Sequence, residues 1–319
     1  MSGAVPLRIL AVGVAAWCVV CWPAHAAGPI FVNGAGAPLV WTAPIPFHPD
    51  QGPLGALGNG TAVANVIADL AVWAAVPTAA VAFANAGPMP VDVTRANYAS
   101  YVGVCGDGLD PIVFDTDGSV IDDLFGAGAR NQVLGFASPD CASFVPPVIT
   151  EASAVLNGRF LDGVDTPSNP ELSLADFNAV FIHEFGHYLN LDHSQVNLTE
   201  AFDGDPANDA AVPTMFPILV NGAQQASLAL DDRVSVSTLY PATAFATAFG
   251  TLTGRVLRAD ALTPFQGAYV IARAVGEPRA QAVGMASGAR YFPSQPGGPP
   301  PPGLQGFFEI PGLPPGSYT

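Results

Sequence analysis

The stretch Phe-Ile-His-Glu-Phe-Gly-His-Tyr-Leu-Asn-Leu-Asp-His, residues 181–193, holds three of the five histidines in this chain of 319 residues. His183 and His187 are four residues apart, so on an α-helix they share one face, one turn apart. Two imidazoles placed in this way can bind one zinc ion. Glu184 is the next residue round the helix, where it can act as general base toward a water molecule that the metal activates. The spacing therefore predicts a zinc-binding helix with a base beside the metal.

The third histidine of this stretch, His193, needs a turn in the chain. It follows the second helical histidine by six residues, so a continuous helix would carry it away from the metal. Asn190 lies where the chain has to leave the helix, and asparagine tolerates the left-handed backbone conformation. Ser173 and Asp176 form a capping-box pattern before an apolar run. We therefore expect a helix over about 174–189, then a turn that brings His193 back.

The same residues resemble the zinc signature HExxHxxGxxH of the metzincin metalloproteases, and the trailing Leu-Asp-His-Ser-Gln is similar to its matrixin branch. Asn190 stands where that pattern usually has glycine. The run Val-Pro-Thr-Met-Phe-Pro, 212–217, resembles the Met-turn of the family, which implies that Met215 lies beneath the zinc. Residues 228–241, with their paired aspartates, resemble the closing helix. The clear resemblance covers about 170–241, with a looser one back to about residue 38.

The resemblance implies an α+β fold, with a metzincin-type catalytic domain made of a mixed twisted sheet and an active-site helix. A substrate would pair in extended form with an edge strand near 132–137, and residues 217–222 would form a wall of its pocket. We expect a secreted zinc endopeptidase that acts on proteins or peptides, with one catalytic zinc. The implied ligands are His183, His187 and His193, and the implied catalytic base is Glu184.

The N-terminal residues 1–26 have the pattern of a secretory signal peptide. Arg8 is followed by the apolar stretch 9–22, and Ala-His-Ala at 24–26 is a typical cleavage site. The apolar stretch is short for a membrane span. The run 61–84 is also apolar, but Asp69 and Pro77 interrupt it, so we expect a helix at about 61–74 and a strand at about 78–84. The sequence thus predicts a secreted protein with no membrane segment after cleavage.

Cleavage would leave two cysteines, Cys105 and Cys141, in an exported chain. An even pair in an oxidising compartment favours a disulfide. An alternative is that Cys105 holds the zinc in a latent form, as matrixin prodomains do. The context Gly-Val-Cys-Gly-Asp-Gly is not the prodomain motif of the family, which favours the disulfide.

The formal net charge is −16, and all ten basic residues are arginines. A surface this acidic repels phosphate backbones, so nucleic acid is not an expected partner. The oligomeric state cannot be derived from these residues. The charge suits an exported protein whose partner is its protein or peptide substrate.

The sequence offers few ligands for additional metals. Many matrixins carry a structural zinc bound largely by histidines. Outside the expected signal peptide, which contains His25, the only histidine left over is His48, so a second zinc site of that type cannot be built. Calcium is a candidate at Asp115, Asp117 and Asp122, which offer hard oxygen ligands on a turn. The alternative is that these residues form a solvated turn, because Asp and Gly favour turns in any case.

The remaining chain predicts further strands and a second domain. Strand candidates are 38–44, 132–137 and 149–157 within a catalytic domain of residues 27–241. Residues 242–250 are expected to be a linker. The segment 251–319 alternates as strands do and ends in Gly-Leu-Pro-Pro-Gly-Ser-Tyr-Thr, which resembles the carboxypeptidase-regulatory, transthyretin-like β-sandwich. That module would be incomplete at Thr319, and we expect it to space or dock the enzyme.

Two other functions remain open on the sequence alone. One is an exported binding or adhesion protein that keeps a zinc-protease fold with little catalysis. The other is a zinc hydrolase that acts on bonds other than peptides. The presence of Glu184 argues against the first, because its loss is the simplest route to an inactive homologue.

Overall fold

The computed structural model describes residues 5–6, 28–220, 222–291 and 301–319. Within these ranges the protein is an α+β fold around one mixed sheet. Of the expected signal peptide, only the strand Val5–Pro6 (β1) is described, and residues 7–27, with Cys18, Cys21 and His25, lie outside the described part. The other strands of the sheet are Ile45–Pro49 (β2), Phe83–Asn85 (β3), Pro111–Asp115 (β4), Gly135–Phe144 (β5) and Pro147–Asn157 (β6).

Five strands form the body of the sheet, in the order β5-β6-β4-β2-β3. Strands β6, β4, β2 and β3 run parallel, and β5 runs antiparallel to β6 at one edge. The short β1 pairs with only Cys141 and Ala142 at the far end of β5. The first half of β5 is therefore an edge of the described sheet.

Five α-helices accompany the strands in the described residues. They are Asn59–Ala74 (α1), Ser119–Phe125 (α2), Leu174–Tyr188 (α3), Leu230–Leu239 (α4) and Phe245–Ala248 (α5). Short 3-10 helices lie at Tyr98–Ser100, Ala129–Asn131, Gly158–Leu161, Glu200–Phe202, Asp209–Ala211, Gly222–Gln224 and Pro302–Leu304. None of the helices in the described ranges is long and apolar enough to cross a membrane.

The main core lies between the sheet and the helices α1 and α3. Trp73 of α1 is fully buried, and its indole nitrogen donates to the carbonyl of Ile182 in α3 at 2.8 Å. Tyr188 stacks on Trp41 with ring centroids 5.6 Å apart. Such aromatic side chains remove large apolar areas from water, and their polar atoms find partners when buried. The first contact fixes α3 against α1, and the second fixes the end of α3 against the segment that precedes β2.

The opposite face of the sheet has its own apolar cluster. In β4, Val113 belongs to that cluster, whereas Ile112 and Phe114 face the main core. Both faces of this parallel strand are therefore covered, which is why it reads as a continuous apolar run. The sequence analysis did not predict this strand.

Several predicted elements are confirmed and two are wrong. The helix that carries the histidines and the strand at 149–157 are present, and the first helix begins two residues earlier than expected. The strand expected at 132–137 begins only at Gly135 and extends to Phe144. Residues 38–44 are not a strand, because Val40 alone bridges to Val148 before β2 begins at Ile45. The strand expected at 78–84 is reduced to Phe83–Asn85, since Ala80 donates instead to the carbonyl of Tyr240.

The C-terminal region forms two small antiparallel sheets. Strand Gly250–Arg255 (β7) pairs with Phe307–Leu313 (β10), and Tyr269–Arg273 (β8) pairs with Ala282–Ala286 (β9). Their shared apolar cluster also includes Val234 of α4, which belongs to the preceding region. The expected linker 242–250 contains helix α5. The C-terminal β-strands therefore pack on helix α4.

Candidate metal centre

Helix α3 begins where the capping residues predict. The Ser173 hydroxyl accepts from the Asp176 amide at 3.2 Å and donates to the Asp176 carboxylate at 2.7 Å. An oxygen at this position satisfies an amide that the helix itself leaves free. From this start the helix places the first two histidines and Glu184 at the floor of a cleft.

The helix ends at Tyr188, and the chain turns back at Asn190. This residue has a φ of 72° and is fully buried. Its side-chain oxygen accepts from the Phe31 amide at 2.8 Å, while its amide donates to the carbonyl of Leu39 at 2.8 Å. Asparagine thus supplies the turn that was predicted and, unlike glycine, also ties the N-terminal segment to it.

Hydrogen bonds behind two histidines orient their rings. His183 Nδ1 lies 2.8 Å from the carbonyl of Thr214, and His187 Nδ1 lies 2.7 Å from the carbonyl of Leu191. A carbonyl only accepts, so Nδ1 carries the proton in both rings and Nε2 keeps a lone pair. Partners of this kind behind a metal-binding histidine fix its tautomer and orientation.

The three imidazoles converge in front of the helix. The His187 and His193 Nε2 atoms are 3.1 Å apart, and one nitrogen from each of the three rings lies within 4.8 Å of the others. Two nitrogens bound to a tetrahedral zinc at about 2.0–2.1 Å would be about 3.4 Å apart. The group His183, His187 and His193 could therefore hold a metal ion.

Burial keeps these imidazoles neutral. It lowers the pKa of His183, opposed by the Thr214 carbonyl, and it lowers the pKa of His187 further, helped by the other two histidines. Burial also lowers the pKa of His193 to about 3. Neutral imidazole is the form that binds metals. The lowered pKa values therefore leave the three imidazoles in the protonation state that can bind a cation.

Glu184 lies beside this cluster with one oxygen free of protein partners. Its side chain is buried, and Oε2 has no hydrogen-bond partner. Burial raises the pKa of Glu184 to about 8, although the Ala137 amide opposes the shift. Strand β5 approaches so closely that a Cβ at Gly135 would lie 2.8 Å from Glu184 Cγ. A buried carboxylate with a free oxygen and a pKa near neutrality is suited to moving protons.

Met215 is buried and packs at Gly186 on the helix that carries the histidines. A side chain at Gly186 would overlap its sulfur, so Gly186 leaves the space that Met215 fills. Both oxygens of the Asp232 carboxylate hold the turn, accepting from the Thr214 amide at 2.9 Å and the Met215 amide at 3.0 Å. Thr214 in turn presents its carbonyl to His183. The Met-turn segment therefore supports one of the three histidines directly.

The histidines and Glu184 line a cleft of about 470 Å³. Its floor carries these four polar side chains, and the start of β5 forms one side with Leu134 and Gly135. Another wall includes Pro217, Ile218 and Leu219, from the segment 217–222 that was predicted to form it, together with Phe216 just before that segment. The cleft is thus polar where the metal ligands meet and largely apolar beside them.

The acidic turn predicted as a calcium site has a different role. Asp115 accepts from the Ile121 amide, Asp117 accepts from the Ser119 amide, and Asp122 accepts from two amides and pairs with Arg130 at 2.7 Å. These carboxylates cap α2 and its neighbouring turns, and among the described residues they do not form a metal-ligating cluster. The calcium prediction at this turn is therefore not supported.

Cys105 and Cys141 form a disulfide across 36 residues, as predicted. Glu151 accepts from the Gly106 and Gly108 amides and so fixes the turn that follows Cys105. Because Cys105 is bonded to Cys141, it is not available to hold a zinc ion, and that alternative is wrong for this form of the chain. His48 lies elsewhere, with Nδ1 accepting from the Asp110 amide at 2.9 Å.

Two residues that shape the site were missed. Asp232 was seen only as part of a family-like pair, and its bonds to the Met-turn join residues about 18 apart in sequence. Gly135 was read as an ordinary strand residue. A glycine inside a strand often marks a close approach, and that signal could have pointed to Glu184.

Comparison with models of known protein families gives no match for this chain. Comparison with curated proteins finds no relative either. The assignment of function therefore depends on the geometry of the cleft.

Proposed function

We propose that this protein is a zinc-dependent endopeptidase of the metzincin type. One observation carries the proposal: three imidazole nitrogens converge beside a buried carboxylate that keeps one oxygen without a protein partner. Three histidines that leave a fourth position open are the donor set of a catalytic zinc site, whereas structural sites use four protein ligands. Met215 beneath the helix and the left-handed Asn190 fit the family resemblance.

A zinc ion held by His183, His187 and His193 would polarise a peptide carbonyl and activate water as the nucleophile. Glu184 would take the proton from that water and deliver it to the leaving amine. The raised pKa of its carboxyl suits this exchange, and a nearby cation would favour its ionised form. No serine or cysteine nucleophile is needed.

Strand β5 offers the surface on which a peptide would lie. It pairs with β6 on one side, and on its other side the described residues cover only Cys141 and Ala142. An extended peptide could therefore add to the edge near Gly135, directly beside Glu184. Recognition of this kind reads backbone more than side chains and so suits an endopeptidase. The expected substrate is a protein or peptide in extended conformation.

An exported location fits the same proposal. The chain has a signal-like N-terminal pattern, and the described cysteines form a disulfide, which persists in oxidising compartments. The runner-up function, a binding protein with a protease-like fold, has no step that uses the unpartnered Glu184 oxygen beside the three histidines, whereas a zinc hydrolase uses it as a base.

The test is cleavage of a proteome-derived peptide library by zinc-loaded protein. We expect the wild type to cleave and a chelator to stop it. Glu184→Gln keeps the shape of the side chain but removes the base, so cleavage should fall by about 10³-fold while zinc stays bound. Glu277→Gln, at an exposed position in the C-terminal region, is the matched control and should cleave normally. Wild-type rates for Glu184→Gln would contradict the proposal.

A further inference from the structure

The strands of the C-terminal region reach the segment directly behind His193. Ser194, the next residue, is fully buried, and its amide donates to the carbonyl of Met215 at 2.7 Å. This bond ties the backbone next to His193 to the Met-turn. The position of the third histidine therefore depends on what holds Ser194.

Tyr269, the first residue of β8, approaches Ser194 from the C-terminal region. Its hydroxyl lies 3.4 Å from the Ser194 hydroxyl. To reach it, the ring crosses Gly284 of the neighbouring strand β9, where a Cβ would overlap the Tyr269 hydroxyl. The glycine therefore leaves the passage through which Tyr269 contacts the histidine segment.

The closing helix α4 joins the same two parts of the molecule. Its first turn carries adjacent buried aspartates, of which Asp232 holds the Met-turn and Asp231 accepts from the Gly284 amide at 2.8 Å. The carboxylates of the adjacent residues Asp231 and Asp232 thus connect β9, the strand that Tyr269 crosses, to the Met-turn. Val234, in the same helix, is buried among apolar side chains of the C-terminal strands.

A second attachment follows a few residues later. Asn197 has a left-handed backbone, with a φ of 61°. Its side-chain oxygen accepts from Arg273 at 2.6 Å, and its side-chain amide donates to the carbonyl of Arg279 at 3.1 Å. Arg279 also pairs with Glu200 at 3.2 Å. The chain from 194 to 200 is therefore held by the C-terminal region at several points.

We propose that the C-terminal β-region is a structural support of the metal centre, and that Tyr269 is a positioning residue that acts on His193 through Ser194. The inference rests on the proposed zinc site and assigns the region a role beyond the spacing or docking expected from sequence. Partners that hold a metal ligand in place from behind typically affect metal affinity without touching the ion.

The test compares Tyr269→Phe with Tyr318→Phe in the full chain. Tyr318 lies in the same region, but its hydroxyl donates to the carbonyl of Pro314 and not to the histidine segment. Zinc affinity is measured by chelator competition, and the melting temperature of the metal-free protein is measured beside it. We expect Tyr269→Phe to weaken zinc binding about tenfold, with Tyr318→Phe unchanged. The two metal-free variants should melt alike, and excess zinc should restore the activity of Tyr269→Phe.

Ser194→Ala provides the second variant and a double-mutant cycle. Ser194→Ala also removes the bond that its hydroxyl accepts from the Val196 amide at 3.1 Å, so we expect the larger loss in this variant. If Tyr269 acts through Ser194, the double variant should bind zinc no more weakly than Ser194→Ala alone, because without the Ser194 hydroxyl the Tyr269 hydroxyl has lost the partner through which it acts. Additive losses would overturn the proposed route. Equal affinities of wild type and Tyr269→Phe, or equal losses in both tyrosine variants, would overturn the inference while leaving the zinc site intact. A wild type that binds no zinc would overturn the proposed function and the inference with it.

Discussion

The histidine cluster and the acidic turn at 115–123 are the two places where the sequence suggested a metal. They differ in how many of their possible ligand atoms are already hydrogen-bonded to the protein. At the histidines, the Nδ1 atoms of His183 and His187 are bound from behind and their Nε2 lone pairs face a common point. At the acidic turn, backbone amides donate to Asp115 and Asp122, and Arg130 and Arg95 pair with Asp122 and Asp123. A candidate metal site is therefore better recognised by ligand atoms that the protein orients but leaves without hydrogen-bond partners. The presence of ligand-type residues close in sequence is a weaker criterion.

Removing one oriented donor should have the largest effect. His187→Asn deletes a ligand whose ring is fixed by the Leu191 carbonyl, so zinc affinity should fall by more than about 100-fold, beyond the loss typical of residues behind a ligand. His48→Asn is the matched control, because His48 has its own partner, the Asp110 amide, away from the cluster. Chelator competition measures both variants, and equal losses in the two would contradict the comparison.

Asp69 extends the comparison to a carboxylate oxygen that has no hydrogen-bond partner and does not belong to any metal-ligating cluster of the described residues. It is buried in α1, its Oδ2 has no partner, and burial raises its pKa to about 7. The folded state therefore binds this proton more tightly than the unfolded state does, so the stability of the wild type falls as pH rises from about 4 to about 7. Asp69→Asn removes that dependence.

Asp69→Asn should be more stable than the wild type at pH 8 by about 2 kcal/mol. A shift of about three pKa units corresponds to about 4 kcal/mol at about 1.36 kcal/mol per unit, and we take roughly half of that value. The difference should vanish near about pH 3, below the ordinary pKa of the carboxyl, where it is protonated in both states. Denaturant unfolding at the two pH values measures it. Asp260→Asn, on an exposed turn, controls for loss of charge, and an equal gain there would refute the explanation.

The smallest effect is expected at the acidic turn. Because Asp117 caps the amide of Ser119 and its neighbours are paired, added calcium should leave the melting temperature of the wild type unchanged. Asp117→Asn should behave like the wild type with and without calcium. A calcium-dependent rise in melting temperature that disappears in Asp117→Asn would restore the calcium site.

The parts of the site that could be predicted are local in sequence. Helical spacing gives the face shared by His183 and His187, and the need for a left-handed residue gives the turn at Asn190. The pairing of Cys105 with Cys141 followed from their number in a chain that is expected to be exported. Each of these depends on residues near one another or on simple counting.

The parts that could not be predicted depend on long-range partners. Strand β4 shows no alternation because both of its faces are buried. The segment 38–44 has strand-like residues, but the carbonyl of Leu39 accepts a hydrogen bond from the side-chain amide of Asn190 instead of from a neighbouring strand. Only Val40 forms a bridge to the sheet, with Val148. Likewise, nothing local to Tyr269 shows that it meets Ser194, 75 residues earlier in the chain.

X-ray absorption spectroscopy of the zinc-loaded protein tests the central claim most directly, because it reports the atoms bound to the metal. Three imidazoles predict nitrogen scatterers at about 2.0–2.1 Å with one further light ligand and no sulfur. The His187→Asn variant should lose this spectrum. Sulfur at about 2.3 Å, or a shell of oxygens alone, would contradict the proposed zinc site.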